Sequence, residues 1–481
     1  MKKILTILLL SFLFVGCIDQ NIEEKEDLSE YQLEDVNFLL ITNPTKEDKS
    51  INTTWVKIEE ISRNIEEKKL VDEQPIHSTY IERTIPYKSL DTSLLSIKNE
   101  RNVETKLREV SYKVGESHVF YDFDGSIVNG KLFVEGEYCY IWQDKELEEN
   151  AKLSIDELRE FAEKFDKIYL KQIELCGPKY DGTTIYNNII NPSKKISILM
   201  TDISEPNVAG FFSSSNYLKE SNFSSGIEVL VGDSVYAKDA IDTKNEGAVF
   251  STMVHEFNHL LNFVNKELKY GLRQETWYTE MLSMITEDFF MEDFNIEYIG
   301  SPQQRLESFI SLGYMYGFKN WEKIDSNYVS FNYANAYAFG AFLARNYGGA
   351  KLIKEICTNE YVNEESVVQA VNKINGTNKT FNDLLYEFSL ILFNTKNLNL
   401  QMPSLYKDCS ETLNDFDFKL NKIDLSNLPS ENNYSILGIR PENLENAYLG
   451  AYGFNVVVFD ESTDIILKIK DFLFYRVLRL Q

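Results

Sequence analysis

His255-Glu256-Phe257-Asn258-His259 is the stretch whose residue types and spacing call for a chemical explanation. Two histidines four apart on a helix share one face, so both imidazoles can reach a single metal ion. The glutamate between them lies about a quarter turn away, close enough to take a proton from water held by such an ion. The chain has four histidines, and two of them fall in this H-E-x-x-H pattern. In so histidine-poor a sequence, a chance match is expected on the order of a few times in a thousand chains. The chemistry is therefore hydrolysis assisted by a divalent ion, with Glu256 as the base.

The surrounding residues predict a helix over about 246–264. One side carries His255, His259, Ala248, Ser251, Thr252 and Asn262, and the rest is apolar, from Val249 through Val264. A helix built for burial that keeps one small polar stripe for both histidines is unlike a solvated surface helix. Catalytic zinc normally takes three protein ligands and a water. The metzincin route would need glycine at 262 and histidine at 265, and both positions are asparagine. No histidine follows His259, so the third ligand is expected from a carboxylate of the next helix. Glu280, after twenty intervening residues, and Glu287 both border the apolar stripe of that helix. Asp288 lies inside the stripe. It reads either as a group orienting a ligand imidazole or as one half of a buried salt bridge.

The run H-E-F-N-H-L-L-N-F followed by W-Y-T-E-M-L-S-M resembles the hyicolysin-type neutral zinc metallopeptidases, within the Glu-zincin group. The segment Y-A-F-G-A-F-L-A-R-N-Y-G-G from Tyr337 is similar to that family too. The resemblance covers about residues 110–400, and its specific part is 250–290. It implies one zinc ion held by His255, His259 and Glu280, with Glu256 as catalytic base and a polypeptide as substrate. It also implies an α+β, thermolysin-like catalytic fold, in which a mixed sheet and the motif helix meet a helical lobe. Many Glu-zincins have an aspartate four residues after the ligand glutamate, where this chain has Met284. For the second donor that peptide hydrolysis uses, Tyr333, Tyr337 and Arg345 are candidates, each also readable as structure. Two other function classes compete: a catalytically silent surface lipoprotein used in adhesion or scaffolding, and a metal-capture lipoprotein. An intact His-Glu-His set speaks against the first, and the scarcity of histidine speaks against the second.

Positioning such a site takes several elements. Short β-rich runs at 36–42, 53–56, 118–123, 131–134 and 138–142 predict a β-rich N-terminal domain over 36–145. Ser154 and Glu157 form an S-x-x-E capping box, and Leu158, Phe161, Ala162, Phe165, Ile168 and Tyr169 follow at helical spacing. Strands are expected at 195–201 and 227–231, and by analogy with other zincins the Gly210–Val231 region would supply a sheet edge on which an extended peptide can lie. Helices follow at 276–290, 303–312, 336–347 and 351–357. The catalytic domain is thus expected over 150–400, with a small β-rich domain at 410–481.

The N-terminus reads as a targeting segment over 1–17. Lys2 and Lys3 precede an apolar run from Ile4 to Val15, too short to span a bilayer, and Gly16-Cys17 resembles the end of a bacterial lipoprotein signal. Phe14 stands where such signals usually carry leucine. Lipidation of Cys17 would anchor the protein to a membrane, with acidic residues 18–35 as tether, and place it outside the cytoplasm in the cell envelope. Cys139, Cys176, Cys357 and Cys409 are widely and irregularly spaced, unlike a zinc knuckle. With 49 basic and 75 acidic residues, the net charge of −26 repels phosphate backbones and argues against nucleic-acid binding.

Overall fold

In the computed structural model, residues 30–33, 38–47, 49–50, 53–57, 86–91, 95, 110–179, 186, 188–190, 193–219, 221, 223–321, 329–397, 399–429, 448–449, 451–458, 465–469 and 474–478 are described. Cys17, the targeting segment and the 18–29 part of the tether lie outside them. Among the described residues, no helix is long and apolar enough to cross a membrane.

The chain is a mixed α+β structure. Its main sheet has six strands: β1 (Ser117–Tyr121), β2 (Ile127–Glu135), β3 (Cys139–Asp144), β4 (Ile196–Thr201), β5 (Gly210–Phe212) and β6 (Val229–Asp233). They lie in the order β1-β2-β3-β4-β6-β5. β4 runs parallel to both β3 and β6, and the other pairs are antiparallel. Sequence explains their places. β4 and β6 are buried at every position and sit in the middle, whereas β2 alternates buried and open residues. Successive side chains face opposite sides of a sheet. Ile198 and Met200 accordingly join the large core with the helices, and Leu199, Val229 and Val231 join a smaller core on the other face.

The helices are α1 (Ile155–Cys176), α2 (Ser234–Asp242), α3 (Gly247–Asn262), α4 (Thr276–Phe290), α5 (Leu306–Ile310), α6 (Val329–Tyr347), α7 (Gly349–Thr358), α8 (Asn363–Asn375) and α9 (Phe381–Ser389). α1 begins at the reciprocal Ser154–Glu157 capping box and buries its predicted apolar face. Phe165 and Tyr169 of that face pack on Phe257 of α3. All sixteen residues of α3 are buried, so its polar stripe faces protein rather than solvent. α4 lies alongside it. On the far side of α4, Gly340 of α6 permits a close approach, since a Cβ there would stand 2.9 Å from Met281 Cγ.

Two expectations about organisation are corrected by strand pairing. Strands on either side of residue 145 share one sheet, because β3 pairs with β4. The 117–144 strands therefore belong with the catalytic elements. The strands from the two ends of the chain pair with each other. Phe38–Thr42 lies between Phe454–Val458 and Phe474–Leu478, and Ile465–Ile469 lies between Glu30–Leu33 and Thr53–Lys57. The hairpin of Cys409–Leu413 with Phe416–Leu420 packs Phe418 into the main core against Phe289. A period-two pattern shows that a segment is a strand without showing its partner, which is why these divisions misled.

Candidate metal centre

α3 and α4 face each other with ionisable side chains turned inward. His255, Glu256, His259 and Glu280 are all 0–1% exposed. The ligand atoms of His255, His259 and Glu280 lie within 4.8 Å of one another. His255 Nε2 stands 3.1 Å from Glu280 Oε2, and His259 Nε2 stands 3.4 Å from Glu280 Oε1.

Hydrogen bonds on the far side of each ring fix its tautomer. Glu287 Oε1 lies 2.7 Å from His255 Nδ1. A carboxylate accepts, so Nδ1 carries a proton; Nε2 donates to Glu280 while the ring is doubly protonated, and the singly protonated ring keeps a lone pair there. Ser283 Oγ donates to Asn258 Oδ1 at 3.2 Å, so at 3.3 Å it accepts from His259 Nδ1–H. His259 Nε2, again a lone pair, has no hydrogen-bond partner among the described residues. Two imidazole Nε2 atoms and a carboxylate converge, and a cation would replace the proton that His255 shares with Glu280. That donor set fits a divalent cation of the zinc type.

The charges respond accordingly. Burial resists the charging of Glu280, but the two histidines outweigh it and hold its carboxyl down to about 2. Burial lowers His259. Burial also works against a charged His255, yet bonds to Glu280 and Glu287 raise it to about 10. A proton and a cation thus compete for the same position on His255. Glu256 is pushed up to about 8, chiefly by burial. Its Oε2 accepts from the Phe212 backbone N–H at 2.8 Å, and its Oε1 has no partner among the described residues.

Of the sequence candidates, His255, His259 and Glu280 come together beside Glu256. Glu287 does not face the same space as their ligand atoms. It sits behind His255, held by Ser251 Oγ at 2.8 Å with the Arg305 guanidinium 3.7 Å away. The orienting role considered for Asp288 therefore falls to Glu287. Asp288 takes its other reading, a buried salt bridge with Arg345 at 2.9 Å, joined by Tyr337 at 3.0 Å and Gln303 at 2.9 Å. Tyr337 and Arg345 are committed to this pair. Tyr333 packs edge-on against Trp321 under the Arg305 guanidinium. β5 is the terminal strand of the main sheet.

Ser283 and Tyr87 were missed, and Glu287 was read as a rival ligand rather than as the group behind His255. Ser283 and Glu287 lie three and seven residues after Glu280, on the same face of α4, and Ser251 lies four before His255. That helical spacing was a readable signal. Tyr87 carried none. Its backbone N–H donates to Glu280 Oε1 at 2.7 Å, and its ring stacks on His259 with centroids 5.0 Å apart.

The model of the Peptidase M30 family matches residues 135–449 of the chain. The neutral metalloprotease ShpI of Staphylococcus hyicus is 24% identical over 277 residues, covering 54% of this chain and 58% of its own length. The match thus spans little more than half of that relative. Among solved structures, a two-domain M1 zinc metallopeptidase variant bound to L-arginine aligns with a TM-score of 0.26 and 11% identity. That alignment covers 56% of this chain and 47% of that one.

Proposed function

The chain belongs to the peptidase M30 family, and on that premise we propose that it is an exported zinc metalloendopeptidase of the hyicolysin, Glu-zincin type. His255, His259 and Glu280 would hold one zinc ion, and the catalytic core would be thermolysin-like. The observation that carries this reading is the convergence of two imidazole Nε2 atoms and one carboxylate around a common point, next to a glutamate with an oxygen that has no partner among the described residues. Bound there, zinc supplies Lewis acidity towards the scissile carbonyl and lowers the pKa of a water.

The chain's own groups do the rest. Phe212 N–H fixes one oxygen of Glu256, leaving Oε1 to take a proton from the attacking water and pass it to the departing amine. That buried oxygen, beside the ion ligands and without another partner among the described residues, is placed to accept the proton and release it. Glu287 and Ser283 hold the two rings in the tautomer that leaves each Nε2 available. The substrate is a polypeptide, laid along the β5 edge.

Purified chain lacking residues 1–17 should cleave casein, lose the activity to a chelator and regain it with zinc. Glu256→Gln should still bind zinc and lose about 10²–10⁴-fold in rate, the usual worth of a positioned base. Unimpaired cleavage by that variant would falsify the mechanism. We further propose that Cys17 is lipidated and anchors the protein to a membrane. Cys17→Ser should then release the protein from the membrane fraction, and retention of the variant would count against the anchor.

A further inference from the structure

The segment Pro86-Tyr87-Lys88-Ser89-Leu90-Asp91 precedes the family-matched region, yet it runs through the metal centre. It is neither helix nor strand. The Tyr87 ring is buried between His259 and Phe212, with centroids at 5.0 and 5.9 Å and interplanar angles of 18° and 22°. Main-chain groups hold the segment along its length. Tyr87 N–H donates to Glu280 Oε1, Tyr87 C=O accepts from Thr276 Oγ1 at 3.3 Å, and Leu90 N–H donates to Glu267 Oε2 at 2.8 Å. Ser89 Oγ accepts from Gln274 N at 3.1 Å. Lys88 and Asp91, between and beyond these anchors, are exposed.

Capture by backbone bonds with one side chain in a pocket is how an extended peptide is recognised without regard to most of its sequence. Glu267 is built for such a guest. It lies in the single π-helical stretch described after α3, Phe263–Leu268, and is 0% exposed. Its oxygens take hydrogen bonds from Tyr87 O–H at 3.0 Å, Leu90 N–H and Gln274 Nε2 at 3.0 Å. Two of the three donors come from the segment, so without it a buried carboxylate would lose most of its partners. A buried carboxylate left with Gln274 alone would be suited to receive peptide N–H groups.

Resting on the peptidase reading above, we propose that residues 86–91 occupy the polypeptide-binding cleft as an internal substrate mimic. Only the fraction of chains in which they have left the cleft is open to substrate, and the subsite between His259 and Phe212 takes an aromatic side chain. Glu267 is the positioning residue that grips the peptide backbone beyond it.

The test uses binding rather than turnover. A labelled peptide of sequence TIPYKSLDTS (residues 84–93) is titrated by fluorescence anisotropy into the chain carrying Glu256→Gln, with zinc supplied, and into the same chain with Tyr87→Ala and Leu90→Pro added. Apparent affinity scales with the fraction of chains whose cleft is open, so the added pair should tighten binding about tenfold or more. The same peptide with Tyr87→Ala should bind weakly to both. Equal or weaker binding to the opened chain overturns the proposal, as does indifference to the tyrosine in the peptide. If the double substitution prevents folding, Tyr87→Phe decides. It deletes one hydrogen bond to Glu267 and keeps the stack, so binding should tighten on the order of threefold, and no change sinks the idea. Tight binding to the opened chain with no cleavage once Glu256 is restored would instead sink the peptidase reading and leave the occupant standing.

Discussion

Glu287 and Asp288 are neighbours on α4, equally buried at 3% exposure, and they do opposite things. Asp288 turns to Arg345, Tyr337 and Gln303, and both of its oxygens are paired. Glu287 turns to Ser251 and His255, and the cluster it supports ends in two atoms without hydrogen-bond partners among the described residues, His259 Nε2 and Glu256 Oε1. Burial and charge are common to both. The difference lies in completion. A carboxylate whose lone pairs are all taken up holds elements together, whereas a buried group left wanting a partner costs stability unless something else fills the gap. Glu287 itself has both oxygens paired, so the contrast lies in what each carboxylate supports; on the other side, Arg345 Nη1 has no partner among the described residues.

The sharpest way to break the comparison is to truncate one carboxylate on each side. Asp288→Ala leaves the Arg345 charge buried and uncompensated, which should cost about 3–5 kcal/mol in denaturant unfolding. Zinc content per folded molecule should be unchanged. Glu280→Ala should abolish stoichiometric zinc in metal analysis. An exchange of these two outcomes would reverse the assignments.

The next effect concerns pH. Burial pushes Glu267 up to about 7 from its ordinary 4.5, so the folded chain holds this proton more tightly than the unfolded one. Its contribution to stability is full below about pH 4.5 and is withdrawn as pH rises towards 7, by about 3 kcal/mol. Lys266, which burial lowers to about 7, acts above that range. Glu267→Gln should therefore flatten the stability profile between pH 4.5 and 7. A slope equal to the parent's would show that Glu267 is not a strained carboxylate. Glu287→Ala should weaken zinc binding by about 10–100-fold, the usual worth of a group that orients a ligand imidazole. Competition with a chelating dye would measure it, and undiminished affinity would return Glu287 to a purely structural role. Ser283→Ala should have the smallest effect, about 1 kcal/mol in zinc affinity, detectable in the same assay.

Local pattern determined a good deal. The Ser154–Glu157 box set the start of α1, and the i,i+4 histidines with their apolar surroundings set α3. The Trp277–Phe290 periodicity set α4, and Glu280 was legible as a candidate because helix geometry is periodic within one segment. Which of two adjacent carboxylates turns to a histidine and which to an arginine was not legible. That depends on where α6 and Arg345 arrive, fifty-seven residues away. Nor could any local rule place Tyr87 on His259, or join strands 117–144 to strands 196–233. Sequence records the face that each element offers. Only packing decides what each face meets, because partners distant along the chain are chosen by the burial and hydrogen-bond satisfaction of the whole fold.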